Sequence, residues 1–129
     1  MANVNDVKTK SIPIEIGNKQ RNIKFDLNSF AELEERYGSI QLAMDELQKG
    51  SIKAVRLILW AGLIHEEVQL SDKGDFVKYN ITPFEVGSWV GIADVQDLGA
   101  KLQEAMEASL PPVAAEQVTT NAAVQSPNA

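Results

Sequence analysis

Cysteine is absent from the chain, which excludes disulfide scaffolds, thiolate metal sites and cysteine nucleophiles together. Histidine occurs once, at His65, and a lone imidazole cannot supply the paired ligands of a zinc hydrolase. No apolar run reaches the roughly 20 residues that a membrane-crossing helix needs. The opening MANVNDVKTK has no apolar stretch that could act as a secretory leader. Gly-rich phosphate cradles and nucleophile elbows are missing too. The expectation is a cytoplasmic, non-enzymatic protein with no cofactor and no metal.

What is present is ordinary globular composition: 129 residues, 44% hydrophobic, with two Trp, two Tyr and four Phe. That length suits one domain with one core. Charge is distributed unevenly. Residues 1–59 carry nine Lys/Arg against eight Asp/Glu, whereas residues 60–129 carry three against ten. An acidic back half repels phosphate, so neither nucleic acid nor an anionic membrane is an expected partner. A basic or hydrophobic protein surface fits better.

The stretch IKAVRLILWAGLI, residues 52–64, organises the rest. From Leu57 to Ile64 it has no charged side chain on any helical face, so this helix must be buried. Before it, Ile12, Ile14 and Ile16 alternate with polar neighbours, and Ile23, Phe25 and Leu27 do so after a Gly-Asn turn. This period of two predicts a hairpin over residues 11–17 and 21–27, with one oily face to be covered by helices. Ser29 and Glu32 have capping-box spacing and predict a helix that ends at Gly38. Ser39 caps a second helix, with Ile40, Ala43, Met44 and Leu47 on one face, and Ser51 caps the central one. Residues 67–81 mix charges with scattered apolar residues and read as a loop with room for a helical turn. Thr82, Pro83 and Glu85 then satisfy three helix-start rules and predict a helix over 83–91. Asp94 is the expected cap of the last helix, which Pro111 and Pro112 stop.

The predicted fold class is α+β, mainly α: an N-terminal β-hairpin packed on a bundle of about five short helices around a buried central helix. Residues 1–10 read as a flexible arm, 11–110 as the single globular domain, and 111–129 as a disordered tail with one charge.

Candidate chemistry gives way to plainer readings. The HEEVQ run at residues 65–69 lacks the second His of a zincin and reads as a polar helix end. Adjacent carboxylates such as Glu34 and Glu35, Asp45 and Glu46, or Glu66 and Glu67 point about 100° apart on a helix and read as solvated faces. Gly87 and Gly91 have small-xxx-small spacing, best read as a tight helix crossing, with a self-association face the second reading. The glycosylation-like Asn80-Ile-Thr82 is set aside without a secretory signal. Trp60 belongs to the core, whereas Trp89 divides between core and partner anchor.

Three segments in order, FDLNSFAELEERYG at 25–38, LWAGLIH at 59–65 and TPFEVG at 82–87, resemble the tail assembly chaperones of long-tailed bacteriophages and related small proteins of phage-like gene transfer agents. The resemblance covers about residues 12–110. It implies an assembly factor that coats the tape measure protein, recruits tail tube subunits, and leaves before the virion is finished. A structural virion component, such as a tube or connector subunit, is the alternative. A small metal-dependent hydrolase comes third. Under the chaperone reading, Phe84, Trp89, Leu98, Leu102 and Met106 on the last two helices are the expected partner-binding residues, and a homo-oligomer is possible.

Overall fold

The computed structural model describes residues 11–110; the arm and tail read from the sequence lie outside them. Two strands come first, β1 (Ser11–Ile16) and β2 (Lys19–Lys24), paired antiparallel with Ile12 opposite Ile23 and Ile14 opposite Arg21. The turn consists of Gly17 and Asn18 alone, both with φ of 62°, the left-handed geometry of a two-residue hairpin. The second strand therefore starts two residues earlier than expected. Its inward positions are Arg21 and Ile23, continued by Phe25 beyond the strand, which puts a guanidinium on the oily face.

Helix α1 (Leu27–Tyr37) also begins earlier than its Ser29-Glu32 signal implied. Asp26 is the cap: its Oδ1 accepts from the Ser29 amide at 3.0 Å, and the Asp26 amide donates to Ser29 Oγ at 3.2 Å. The Ser29 hydroxyl, fully buried, also donates to the Lys24 carbonyl at 3.2 Å and so ties the helix start to the hairpin. Leu27, expected in the strand, is instead 86% exposed at the first helical position. Gly38, at φ 93°, ends the helix, and Ser39 caps α2 (Ile40–Gln48) through the Leu42 amide.

Ser51 accepts from the Ala54 amide and opens α3 (Ile52–Leu63), continued by one 3-10 turn (Ile64–Glu66). Eight residues of α3 are buried, and it packs against β2, α1, α2 and the two helices that follow it in the chain. Gly62 makes the hairpin's approach possible: a Cβ there would lie 2.9 Å from Ile23 Cγ2 and 3.1 Å from Phe25 Cζ. The buried Trp60 donates from Nε1 to the Ile81 carbonyl at 2.7 Å and meets the Tyr79 ring edge-on at 5.8 Å.

Residues 67–81 differ from the loop expected. They form a second antiparallel hairpin, β3 (Val68–Leu70) and β4 (Phe76–Tyr79), with an irregularity after Gln69. Ser71 and Asp75 close its turn around Gly74. The strands are three and four residues long and neither has a buried face, which is why no alternation announced them. Helix α4 (Pro83–Gly87) has the expected capping box between Thr82 and Glu85 but ends after five residues. A 3-10 turn (Ile92–Asp94) precedes α5 (Val95–Ser109), where Asp94 occupies the cap position without a side-chain bond. The architecture is the α+β, mainly α arrangement that the sequence predicts. No described helix is long and apolar enough to cross a membrane.

Replacing Leu59 with Ala should cost about 2–5 kcal/mol in denaturant unfolding, as truncation of a buried Leu does. Gly62→Ala should also destabilise, by about 1–3 kcal/mol, because the added methyl drives the hairpin off α3. An unchanged midpoint for either variant would contradict this packing. Burial raises the phenol pKa of Tyr37 and of Tyr79, helped by Glu46 at the first and by Glu32 and Asp26 at the second. The unfolded phenols thus ionise first. Stability from this source is complete below the ordinary tyrosine value of 10.0 and is lost as pH rises past it toward the folded values. Unfolding midpoints measured on the alkaline limb should fall less steeply for a Tyr37→Phe, Tyr79→Phe double variant.

Candidate partner-binding surface

On α3, Ile52, Val55, Arg56 and Leu59 follow the i, i+3, i+4, i+7 spacing and form a stripe on one face. Helix α4 and the residues after it stand beside that stripe, and the start of α5 closes the end. Between them lies an apolar groove of about 300 Å³, walled by Phe84, Val86 and Val90 and ended by Val95 and Leu98. The capping box decides which side chains face it. Thr82 Oγ1 accepts from the Glu85 amide at 3.1 Å, and Glu85 Oε1 accepts from the Thr82 amide at 3.2 Å, so the short helix has one orientation. Val86 is then fully buried, and Phe84, two residues back and nearly opposite on the helix, is 80% exposed. Ile52, at 58% exposure, is the apolar residue across the groove.

Trp89 is half-buried and serves as a joint. Its ring presses on the hairpin turn, where a Cβ at Gly17 would lie 3.1 Å from Trp89 Cγ. The Arg21 guanidinium sits 4.1 Å from the ring centroid, a stacked cation-π geometry. Arg21 is only 7% exposed and also pairs with Glu66 Oε1 at 3.3 Å. Glu66 Oε2 accepts from the Asn22 amide at 2.9 Å, and His65 Nε2 lies 2.8 Å from the Asn22 carbonyl. His65 thus helps hold the end of α3 to β2.

The five residues named from the sequence are therefore divided. Phe84 stands on the surface, Trp89 is partly committed to Arg21, and Leu98 forms buried floor at the end of the groove. Leu102 and Met106 are both 0% exposed in the core and cannot meet a partner while the fold is intact. The helix face that reads as oily is the face that α5 turns inward. Ile52 and Arg56 belong to the groove although the sequence reading passed over them; their spacing from Val55 and Leu59 is the signal that could have found them. A second, polar trough of about 740 Å³ runs between the first hairpin's turn and α5, sharing Val90 and Leu98 with the groove. Among the described residues no cluster of three His, Asp or Glu side chains could hold a metal ion. Comparison with protein-family models, curated proteins and solved structures finds no match for this chain.

Trp89→Ala should lower stability by about 1–3 kcal/mol, since it uncovers a buried guanidinium and removes half-buried aromatic surface. Trp89→Phe should recover part of the loss. Chemical denaturation of the two variants checks this, and equal stability of Trp89→Ala and the parent would show that the joint carries no weight.

Proposed function

We propose that this protein is a non-enzymatic binding protein that keeps an apolar helix of a partner soluble, as a tail assembly chaperone does for the tape measure protein. The observation that carries the reading is Phe84, 80% exposed beside a roughly 300 Å³ apolar groove. A large exposed aromatic beside an apolar groove, on a helix start fixed by a capping box, has the placement of a binding anchor. The acidic excess supports the same role, because surplus charge of one sign keeps a complex with an aggregation-prone segment dispersed. The resemblance of three ordered segments supplies the partner's name, with tail tube subunits as the second partner. The place of action is then the bacterial host cytoplasm, and the protein is absent from finished virions.

A structural virion subunit is the second reading. It is favoured by Val68, Leu70, Phe76 and Val77, all exposed on the β3–β4 hairpin, where a neighbouring subunit could cover them. Protein analysis of purified particles separates the two: a retained component supports the structural subunit.

The chaperone reading is tested by co-expression with candidate tape measure and tail tube proteins. The parent should keep the tape measure protein in the soluble fraction and be pulled down with it. Phe84→Ala, which alters an exposed side chain, should leave the circular dichroism spectrum unchanged yet weaken capture roughly 10-fold or more, as loss of a hot-spot aromatic does. Undiminished capture by the folded variant would remove Phe84 and this groove from the interaction.

A further inference from the structure

The apolar groove contains one cation. Arg56 lies on α3 one turn after Ile52 and three residues before Leu59, in the middle of the stripe that lines the groove. Its stem is held in place by α4. A Cβ at Gly87 would lie 2.7 Å from Arg56 Cδ and 3.3 Å from Cγ, so the missing side chain at 87 is what lets the helix close over the arginine.

The chain has three arginines, and the other two pair with carboxylates: Arg21 with Glu66, although its Nε too is buried without a partner, and Arg36 with Glu32. Among the described residues, Arg56 has no carboxylate within 4.0 Å, and its Nε is buried without a hydrogen-bond partner. A guanidinium is never neutralised by losing its proton. Arg56 has thus given up part of its hydration among apolar walls without gaining an acceptor, and an arriving carboxylate would remove that cost.

Building on the partner-groove reading above, we propose that the groove selects an amphipathic helix carrying Asp or Glu one turn from a large apolar residue. The apolar side chain lodges between Ile52 and Phe84, and the carboxylate pairs with the Arg56 guanidinium. The stripe from Ile52 to Leu59 is about 10 Å long at 1.5 Å per residue, the reach of two turns of a docked helix. Charge complementarity sets the register. The protein carries a net charge of −6, so an acidic residue placed elsewhere along the partner meets a repelling surface, while one at Arg56 is attracted. An apolar helix without a carboxylate at that position leaves the guanidinium buried and unanswered.

The test uses the full chain and fluorescein-labelled, Ala-based helical peptides with Leu at i, i+3 and i+7 and either Glu or Gln at i+4, followed by anisotropy. The Glu probe should bind about 10-fold tighter than the Gln probe, the scale of one charge-assisted hydrogen bond. That preference should shrink at high salt, survive partly in Arg56→Lys and vanish in Arg56→Gln. Arg56→Glu should prefer a probe with Lys at i+4. Because the Glu and Gln probes are compared on the unaltered protein, the outcome does not depend on whether an Arg56 variant folds. Equal binding of both probes, with both weakened by Phe84→Ala, would overturn the charge selection and leave the groove as the partner site. Binding of neither probe would overturn this proposal and count against the groove reading itself. Displacement of the Glu probe by sodium dodecanoate at comparable concentration would show a site for free amphiphiles, and would also overturn it.

Discussion

A helix whose last two turns carry no charged side chain cannot sit at the edge of a small protein, and that constraint on α3 governs the arrangement of everything around it. From Ile58 to Ile64 each side chain, and the bare backbone at Gly62, is taken from water, so each neighbour has to present apolar surface of the right depth. The first hairpin meets this at Gly62, where Ile23 and Phe25 come close enough to forbid a methyl group. Helix α1 contributes Phe30 and Leu33, α2 contributes Ala43, Met44 and Leu47, and α5 contributes Leu98, Leu102, Ala105 and Met106. None of these elements is long. Their stability comes from the face each lends to α3, since isolated helices of this length and a lone hairpin are marginal in water.

The same demand explains what the sequence disclosed and what it concealed. Signals carried by several residues at once are legible: the isoleucine alternation, the Ser39, Ser51 and Thr82 caps, and the all-apolar run each rest on residues that agree. Boundaries were lost where two signals overlapped. Asp26 and Ser29 both begin plausible capping boxes, and the earlier one prevails because the Ser29 hydroxyl is needed in the core, bonded to the Lys24 carbonyl. The second hairpin could not be read, because strands without a buried side leave no pattern. At the candidate surface, Phe84 stands exposed on the capped helix that the Thr82, Pro83 and Glu85 signals predict. Leu102 and Met106, expected at a partner, are buried instead, because the apolar stripe of an amphipathic helix is claimed first by the core. The spacing of Arg56 from Ile52 and Leu59 places it on the stripe, but the fit of its stem depends on a glycine 31 positions away in sequence, which local spacing does not carry.

Two arginines show how differently one charge can be accommodated. Arg21 enters the oily face of the hairpin by strand register, and it is tolerated there because Glu66 neutralises it and Trp89 covers its plane. Removing either companion leaves a desolvated charge. Arg56 has an apolar frame of similar kind, built by Gly87 and the stripe on α3, but no anionic companion among the described residues. The first arrangement is closed and mechanical, linking the hairpin, the end of α3 and the segment after α4. The second is open toward the groove.

The β3–β4 hairpin has a consequence for how the molecule fluctuates. Its seven strand residues bury little; Tyr79, against Trp60, ties it to the body, and the Asn80 amide bonded to the Glu67 carbonyl at 2.7 Å closes its own base. Such a ribbon can open and re-form without disturbing the core, so its opening free energy is set locally, well below that of global unfolding. Its backbone amides then exchange with solvent on their own schedule, and a protease meets the ribbon as substrate while α3 is still sealed. Within the described residues the ribbon is thus expected to open as a small unit of its own, and it lies between the end of α3 and the capped helix that carries Phe84.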